Sequence, residues 1–181
     1  MQNEKLRLMT EIAMAVALST VLSFLRLWRM PMGGSVNLEM LPILFVAFRH
    51  GGPAGIITGL LHGTVQVIAG AYVIHPAQFI LDYPLAYGLL GIAGYFSVFA
   101  EDNTIKFKNF LIAFIIGGSG RLLAHVFSGV IFFAEYAPEG QSPWVYSFIY
   151  NLTYIVPALI IVGIVIAILF KQSGKVLINN N

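Results

Sequence analysis

The chain has 181 residues, 58% of them hydrophobic and 10% charged, with a net charge of +2 and a mean hydropathy of +0.83. A soluble domain carries roughly 25% charged residues, so the composition points to an integral membrane protein and leaves no length for a separate soluble catalytic domain. Cysteine is absent, which excludes disulfide and thiolate chemistry, and the small positive charge gives no sign of nucleic-acid binding, because the basic residues stand at the borders of apolar runs.

A helix needs about 20 apolar residues to cross the hydrocarbon of a bilayer. Six apolar segments follow one another and predict an all-α membrane protein, a single domain over residues 1–181. The first runs from about Leu6 to Leu27 and is broken by Arg29, Pro31, Gly33 and Gly34. No A-x-A-like site followed by polar sequence ends it, so it reads as a permanent helix and not a signal peptide. It carries Ala13-xxx-Ala17, a small-residue face open to packing within the chain or to docking of a partner. Glu11, near its inner border, reads as solvated or partner-facing. The second segment, about Val36 to Phe48, is short for a crossing. Its Glu39 borders a site or caps a helix start. The third begins after Arg49-His50-Gly51-Gly52-Pro53 and reaches about Ala71. Gly55, Gly59 and Gly63 make a smooth stripe along it for close helix packing, and His62 and Gln66, four apart, are placed to satisfy each other.

The fourth segment starts near His75-Pro76 and ends before Glu101-Asp102. Asp82 lies four or five residues in, with Gln78 on its face, and Pro84 removes one backbone hydrogen bond and favours a kink. Gly88, Gly91 and Gly94 allow close packing at looser spacing. The fifth follows Lys106-Phe107-Lys108 and runs to about Ala134. Arg121 and His125 share one face, continued by Ser128, Gly129 and Phe132, with Phe133 at its edge. Gly129 leaves room beside His125 for a ligand or a neighbouring helix. After a polar loop from Glu135 to Pro143, the sixth segment runs from about Trp144 to Phe170. Tyr146, Tyr150 and Tyr154 recur four apart along it, with Asn151 about 100° round from Tyr150.

Lys and Arg concentrate on the cytoplasmic side of membrane proteins. With the N-terminus inside, the inner borders hold Lys5, Arg7, Arg49, Lys106, Lys108, Lys171 and Lys175, and the outer ones only Arg26 and Arg29. Both termini are therefore expected in the cytoplasm, with outer loops near 26–36, 70–77 and 135–143.

An ionisable side chain at membrane depth costs at least a few kcal/mol unless it meets a partner or a wet cavity. Asp82, Arg121, His125, Tyr146 and Asn151 are thus expected to line one externally open site. Arg121 is always charged, and Asp82 is its nearest candidate partner; a cationic ligand on Asp82 is the other reading, and both can hold. A carboxylate, an imidazole, an amide and Tyr hydroxyls between aromatic faces suit a flat cationic heteroaromatic. An intramembrane enzyme using His125 and Asp82 as acid and base finds little support. There is no H-E-x-x-H, and Gly117-Gly118-Ser119-Gly120 lacks the last glycine of a nucleophile elbow. No Walker motif is present either, so the chain is expected neither to be an enzyme nor to hydrolyse ATP, and to need no cofactor.

The stretches GGSVNLEMLPI, HPAQFILDYPLAYG, GRLLAHVFSGVIFF and EYAPEGQSPWVYSFIYN, with the AMAVA pattern, resemble the thiamine-specific substrate-binding (S) component of energy-coupling factor (ECF) vitamin transporters over nearly the whole chain. The resemblance implies a six-helix bundle in the bacterial cell membrane that captures thiamine from outside. Its partners would be a transmembrane coupling protein and two cytoplasmic ATPases. It implies thiamine contacts at Asp82, Tyr83, His125, Tyr146 and Asn151, with Tyr72 as a wall. Arg121 stands where the family can have Lys, Phe133 where it can have Trp, and Asp82 where it can have Glu. Ser35 or its neighbours occupy the place of an expected Trp in the first outer loop. Ala13 and Ala17 match the family's surface for the coupling protein. An S component for another vitamin or a thiamine precursor is the neighbouring alternative.

Overall fold

The computed structural model describes residues 2–31, 33–100 and 104–178, the side chains of 2 and 173–178 excepted. Three border markers of the apolar runs, Glu101, Asp102 and the Lys175 side chain, lie outside the described residues. Among those residues the chain forms six helical rods. They are α1 (Gln2–Phe24), α2 (Met40–His50), α3 (Gly52–Val65), a composite fourth rod, α6 (Phe107–Phe132) and α7 (Pro143–Ile178). The fourth rod joins α4 (Pro76–Ile80), a π turn (Leu81–Leu85), α5 (Ala86–Leu90) and a 3₁₀ turn (Gly91–Tyr95) without a break in helical backbone.

Among the described residues three helical stretches are long and apolar enough to cross a membrane: Asn3–Phe24, Phe107–Phe132 and Pro143–Gln172. The others are shorter than the hydropathy suggests. With 11 residues, α2 rises about 16 Å, roughly half of a 30 Å hydrocarbon layer. It starts at Met40 and not near Val36, because Val36 is in a strand. β1 (Trp28–Arg29) pairs antiparallel with β2 (Ser35–Val36), Trp28 opposite Val36, and Gly33 and Gly34 turn the hairpin at positive φ. Asn37 then holds the chain out of helix: its Oδ1 accepts from Glu39 N at 3.1 Å and its Nδ2 donates to Ser35 Oγ at 3.0 Å, a local bond that competes with helix.

Pro84 does break the backbone ladder, but the result is the widened π turn in a continuous rod and not a simple kink. The glycine stripe packs inward as expected. A Cβ at Gly59 would run into the Tyr87 carbonyl, and one at Gly63 into the backbone of Tyr83 and Pro84. The main core gathers Met40, Ile43, Leu44, Leu90, Ile155 and Ile166, all fully buried.

α1 is attached more thinly. Ile12 and Ala15 meet Val46 and Ala54 in a small separate cluster. Glu11 is partly exposed and is also ion-paired: its carboxylate lies 2.6 Å from His50 Nε2, 3.3 Å from Arg49 Nε and 3.1 Å from Arg7 Nε. Ala13 and Ala17 face outward, alongside the exposed Met14 and Leu18, so packing within the chain is not their role.

Candidate functional site

At the end of the bundle that carries the hairpin, the 66–75 loop and the 133–142 loop, a cavity opens between α2, α3, the fourth rod, α6 and α7. The fourth rod, α6 and α7 each aim a stripe into it, and Glu39 and Gln66 reach it from the ends of α2 and α3. On the fourth rod, Pro76 starts the first turn and His75 caps it, Nδ1 accepting from Ala77 N at 3.1 Å. Gln78 follows one turn later. The π turn then lets the neighbours Asp82 and Tyr83, and Tyr87 beyond them, all reach the cavity. On α6 the stripe is Arg121, His125, Gly129 and Phe133, four apart throughout. α7 contributes Tyr146, Ser147, Tyr150, Asn151 and Tyr154.

The polar groups divide into two linked tiers. Nearer the loops, Asp82 Oδ2 accepts from Gln78 Nε2 at 2.6 Å and Ser128 Oγ at 2.8 Å, and Oδ1 lies 3.0 Å from His125 Nδ1. Deeper, Glu39 Oε1 takes Arg121 Nη2 at 3.4 Å, and Oε2 takes Gln66 Nε2 at 3.0 Å. Arg121 also donates to the Tyr87 hydroxyl at 3.1 Å and lies 4.3 Å over that ring, a cation–π contact. His125 joins the tiers: Arg121 Nε points at His125 Nε2 at 3.4 Å. A guanidinium can only donate, so Nε2 accepts and the proton sits on Nδ1, facing Asp82.

The Asp82–Arg121 pair, one of the two readings for Asp82, is therefore not formed. Arg121 goes to Glu39, because α2 begins at cavity depth with Glu39 buried against α6. Glu39 does stand at the head of α2, but its side chain makes no capping bond; bordering the cavity is its role. His62 and Gln66 do bond, at 3.1 Å, and Gln66 carries that bond on to Glu39. The room beside Gly129 is filled by a neighbouring helix, since a Cβ there would overlap Ser147.

All eight residues assigned to the ligand in the sequence line this one cavity: Tyr72, Asp82, Tyr83, Arg121, His125, Phe133, Tyr146 and Asn151. Asn151 is buried, with Nδ2 donating to Ser147 O at 2.8 Å and Oδ1 accepting from the Tyr154 hydroxyl at 2.6 Å. Tyr72 and Phe133 face each other at 6.4 Å and Tyr146 meets Tyr150 at 5.9 Å. Phe132, by contrast, stacks on His75 at 5.1 Å and is absent from the lining. Trp28 is 64% exposed and also absent; Gly33, Gly34 and Ser35 line that side instead, and Arg26 and Arg29 stand at the rim. Sequence reasoning missed Tyr87 and Ser147. Their signals are spacing alone: Tyr87 follows Tyr83 by four, and Ser147 precedes Asn151 by four.

Below the rim arginines the lining has two carboxylates, Asp82 and Glu39, against one guanidinium, Arg121. With His125 neutral, that leaves one negative charge among aromatic rings.

The family model described as thiamine transporter protein matches residues 9–178. The thiamine transporter ThiT of Bacillus subtilis is 40% identical over 185 aligned residues, covering 97% of this chain and 96% of that protein. ThiT of Lacticaseibacillus paracasei is 30% identical, covering 92% and 90%. The solved structure of ThiT from Listeria monocytogenes matches with a TM-score of 0.86 at 31% identity, over 96% of this chain and 98% of that one.

Proposed function

Because this chain belongs to the thiamine transporter protein family, we propose that its cavity is a thiamine site and that the protein is the thiamine-binding S component of an ECF importer in the bacterial cell membrane. The observation that carries this reading is the uncompensated carboxylate inside an aromatic cage. Thiamine pairs an aminopyrimidine with a thiazolium cation. Ring faces attract such a cation by roughly 0.5–2 kcal/mol per contact, and the net negative lining favours it further. The pyrimidine amine and the hydroxyethyl group need acceptors and donors, which Asp82, His125, Tyr146 and Asn151 supply.

Thiamine enters at the end bearing the hairpin, which faces outside, with both termini in the cytoplasm. The first and third outer loops close over it. The transmembrane coupling protein docks on the Ala13/Ala17 face, and two cytoplasmic ATPases drive reorientation of the S component and release inward. The chain itself is a carrier subunit without chemistry of its own.

Calorimetric titration of the purified protein tests the site. Saturable one-to-one binding of thiamine, much tighter than binding of the free pyrimidine or thiazole halves, is expected. No binding of thiamine, or tighter binding of one half or of another vitamin, would give the protein to a neighbouring ligand class.

A further inference from the structure

Gln78 makes three hydrogen bonds in the cavity wall and has no place in the recognition scheme for thiamine. It is 1% exposed. Its Nε2 donates to Asp82 Oδ2 at 2.6 Å and to Tyr72 O at 3.1 Å, and its Oε1 accepts from Ile74 N at 3.1 Å. One amide thus ties a ligand-site carboxylate to two backbone positions of the second outer loop. Tyr83 adds a further tie from the same rod: Tyr72 N donates to its hydroxyl at 2.9 Å. The loop is otherwise held by Ala71 N donating to Gln66 O at 2.9 Å and by the ring contacts of Tyr72 and His75 on α6 and its end, while Tyr72, Val73 and Ile74 are all about half exposed.

We propose that Gln78 is a positioning residue for thiamine binding: it fixes the rotamer of Asp82 and pins the second outer loop, so that the Tyr72 wall and the Asp82 carboxylate are held as one unit. The inference rests on the thiamine reading for its effect on affinity, but not for the pinning. Three hydrogen-bond donors surround Asp82, from Gln78, Ser128 and His125. Without Gln78 the carboxylate loses its shortest bond, the one of the three that comes from its own rod. The same loss frees Ile74 and leaves Tyr72 held by Tyr83 alone of the two ties from this rod. The second outer loop is then the fixed side of the cavity, and entry depends on movement of the other two.

The test uses Gln78→Met and Gln78→Glu in the full-length protein. Gln78→Met keeps the length and removes all three bonds. Amide exchange at Ile74 in the ligand-free variant should rise at least about tenfold, to the level of unpinned loop, and thiamine affinity should fall at least about tenfold. Gln78→Glu keeps an acceptor for Ile74, loses the donation to Tyr72 O, and sets a second carboxyl against Asp82, where the two share a proton or repel. It should retain Ile74 protection and still lose affinity, and it also serves if the Met variant does not fold. In a double-mutant cycle the cost of Gln78→Met should shrink at least about threefold beside Asp82→Ala; a residue that only supports the fold costs the same in both backgrounds. Unchanged exchange at Ile74, or full additivity with Asp82→Ala, overturns the proposal. If the native protein does not bind thiamine, the functional reading falls, and the exchange measurement still decides whether Gln78 pins the loop.

Discussion

Arg121 and Glu39, 82 positions apart in the chain, meet at 3.4 Å in the floor of the cavity, both buried. Breaking a buried pair by removing one member costs about 3–5 kcal/mol, whereas removing both often costs little. Arg121→Met should therefore lower the thermal midpoint of the ligand-free protein sharply, and the Glu39→Gln/Arg121→Met double variant should recover part of the loss. Fluorescence-monitored unfolding in detergent reads the order; a double variant no better than the single one would mean that the pair is not the stabilising unit.

Asp82 and His125 face each other at 3.0 Å. Removing Asp82 leaves the His125 Nδ1–H unpaired, removing His125 leaves Asp82 with Gln78 and Ser128, and either change strips the cavity of a polar contact. Asp82→Ala and His125→Ala should each weaken thiamine binding about tenfold or more, or about 1.4 kcal/mol, while the protein still folds. Calorimetry with purified variants measures this, and native affinity in both would remove the pair from the site.

Gly59 lets α3 touch the backbone of α5. A methyl group there would meet the Tyr87 carbonyl, an atom that no rotamer change can move. Gly59→Ala should cost about 1–3 kcal/mol through overpacking. It should also disturb ligand binding, because Tyr87 supports Arg121. Ala13→Leu on the exposed face of α1 is the matched control, expected within about 0.5 kcal/mol of native stability. Chemical denaturation in detergent compares the two.

With a coupling protein docked on that outward face as proposed, larger side chains there should separate binding from transport. Ala13→Trp/Ala17→Trp should leave thiamine affinity of the isolated protein unchanged and abolish co-purification with the coupling protein, together with uptake by cells. Intact assembly with both tryptophans in place would move the docking surface elsewhere.

Much of this site is legible in the amino-acid sequence. The stripe on α6 and the polar run on α7 are periodic within one helix, and an ionisable group in an apolar run announces itself by its desolvation cost. What periodicity does not carry is pairing between distant segments. Arg121 faces Glu39 because α2 starts at cavity depth, and that start is set by a short hairpin and the Asn37 turn, features of a few residues inside a stretch that hydropathy reads as helix. The first helix poses a similar limit: Ala13 and Ala17 spell a close-packing pattern in any membrane helix, and only the tertiary position of Ile12 and Ala15 shows which side is turned in.

The π turn at Leu81–Leu85 makes the count of residues in this rod matter alongside their chemistry. A π turn holds one residue more than ordinary helix. Deleting Leu81 would restore regular winding, and because four residues of ordinary helix turn through about the same angle as the five of the π turn, the helix on either side would keep its phase. What would go is the widened turn itself: Gln78 would stand three residues from Asp82 in place of four, and the neighbours Asp82 and Tyr83 would no longer share the turn that brings both to the cavity, although the deletion removes no polar group and leaves the rod as oily as before. The lining on this rod therefore rests on one residue of winding as well as on its chemistry.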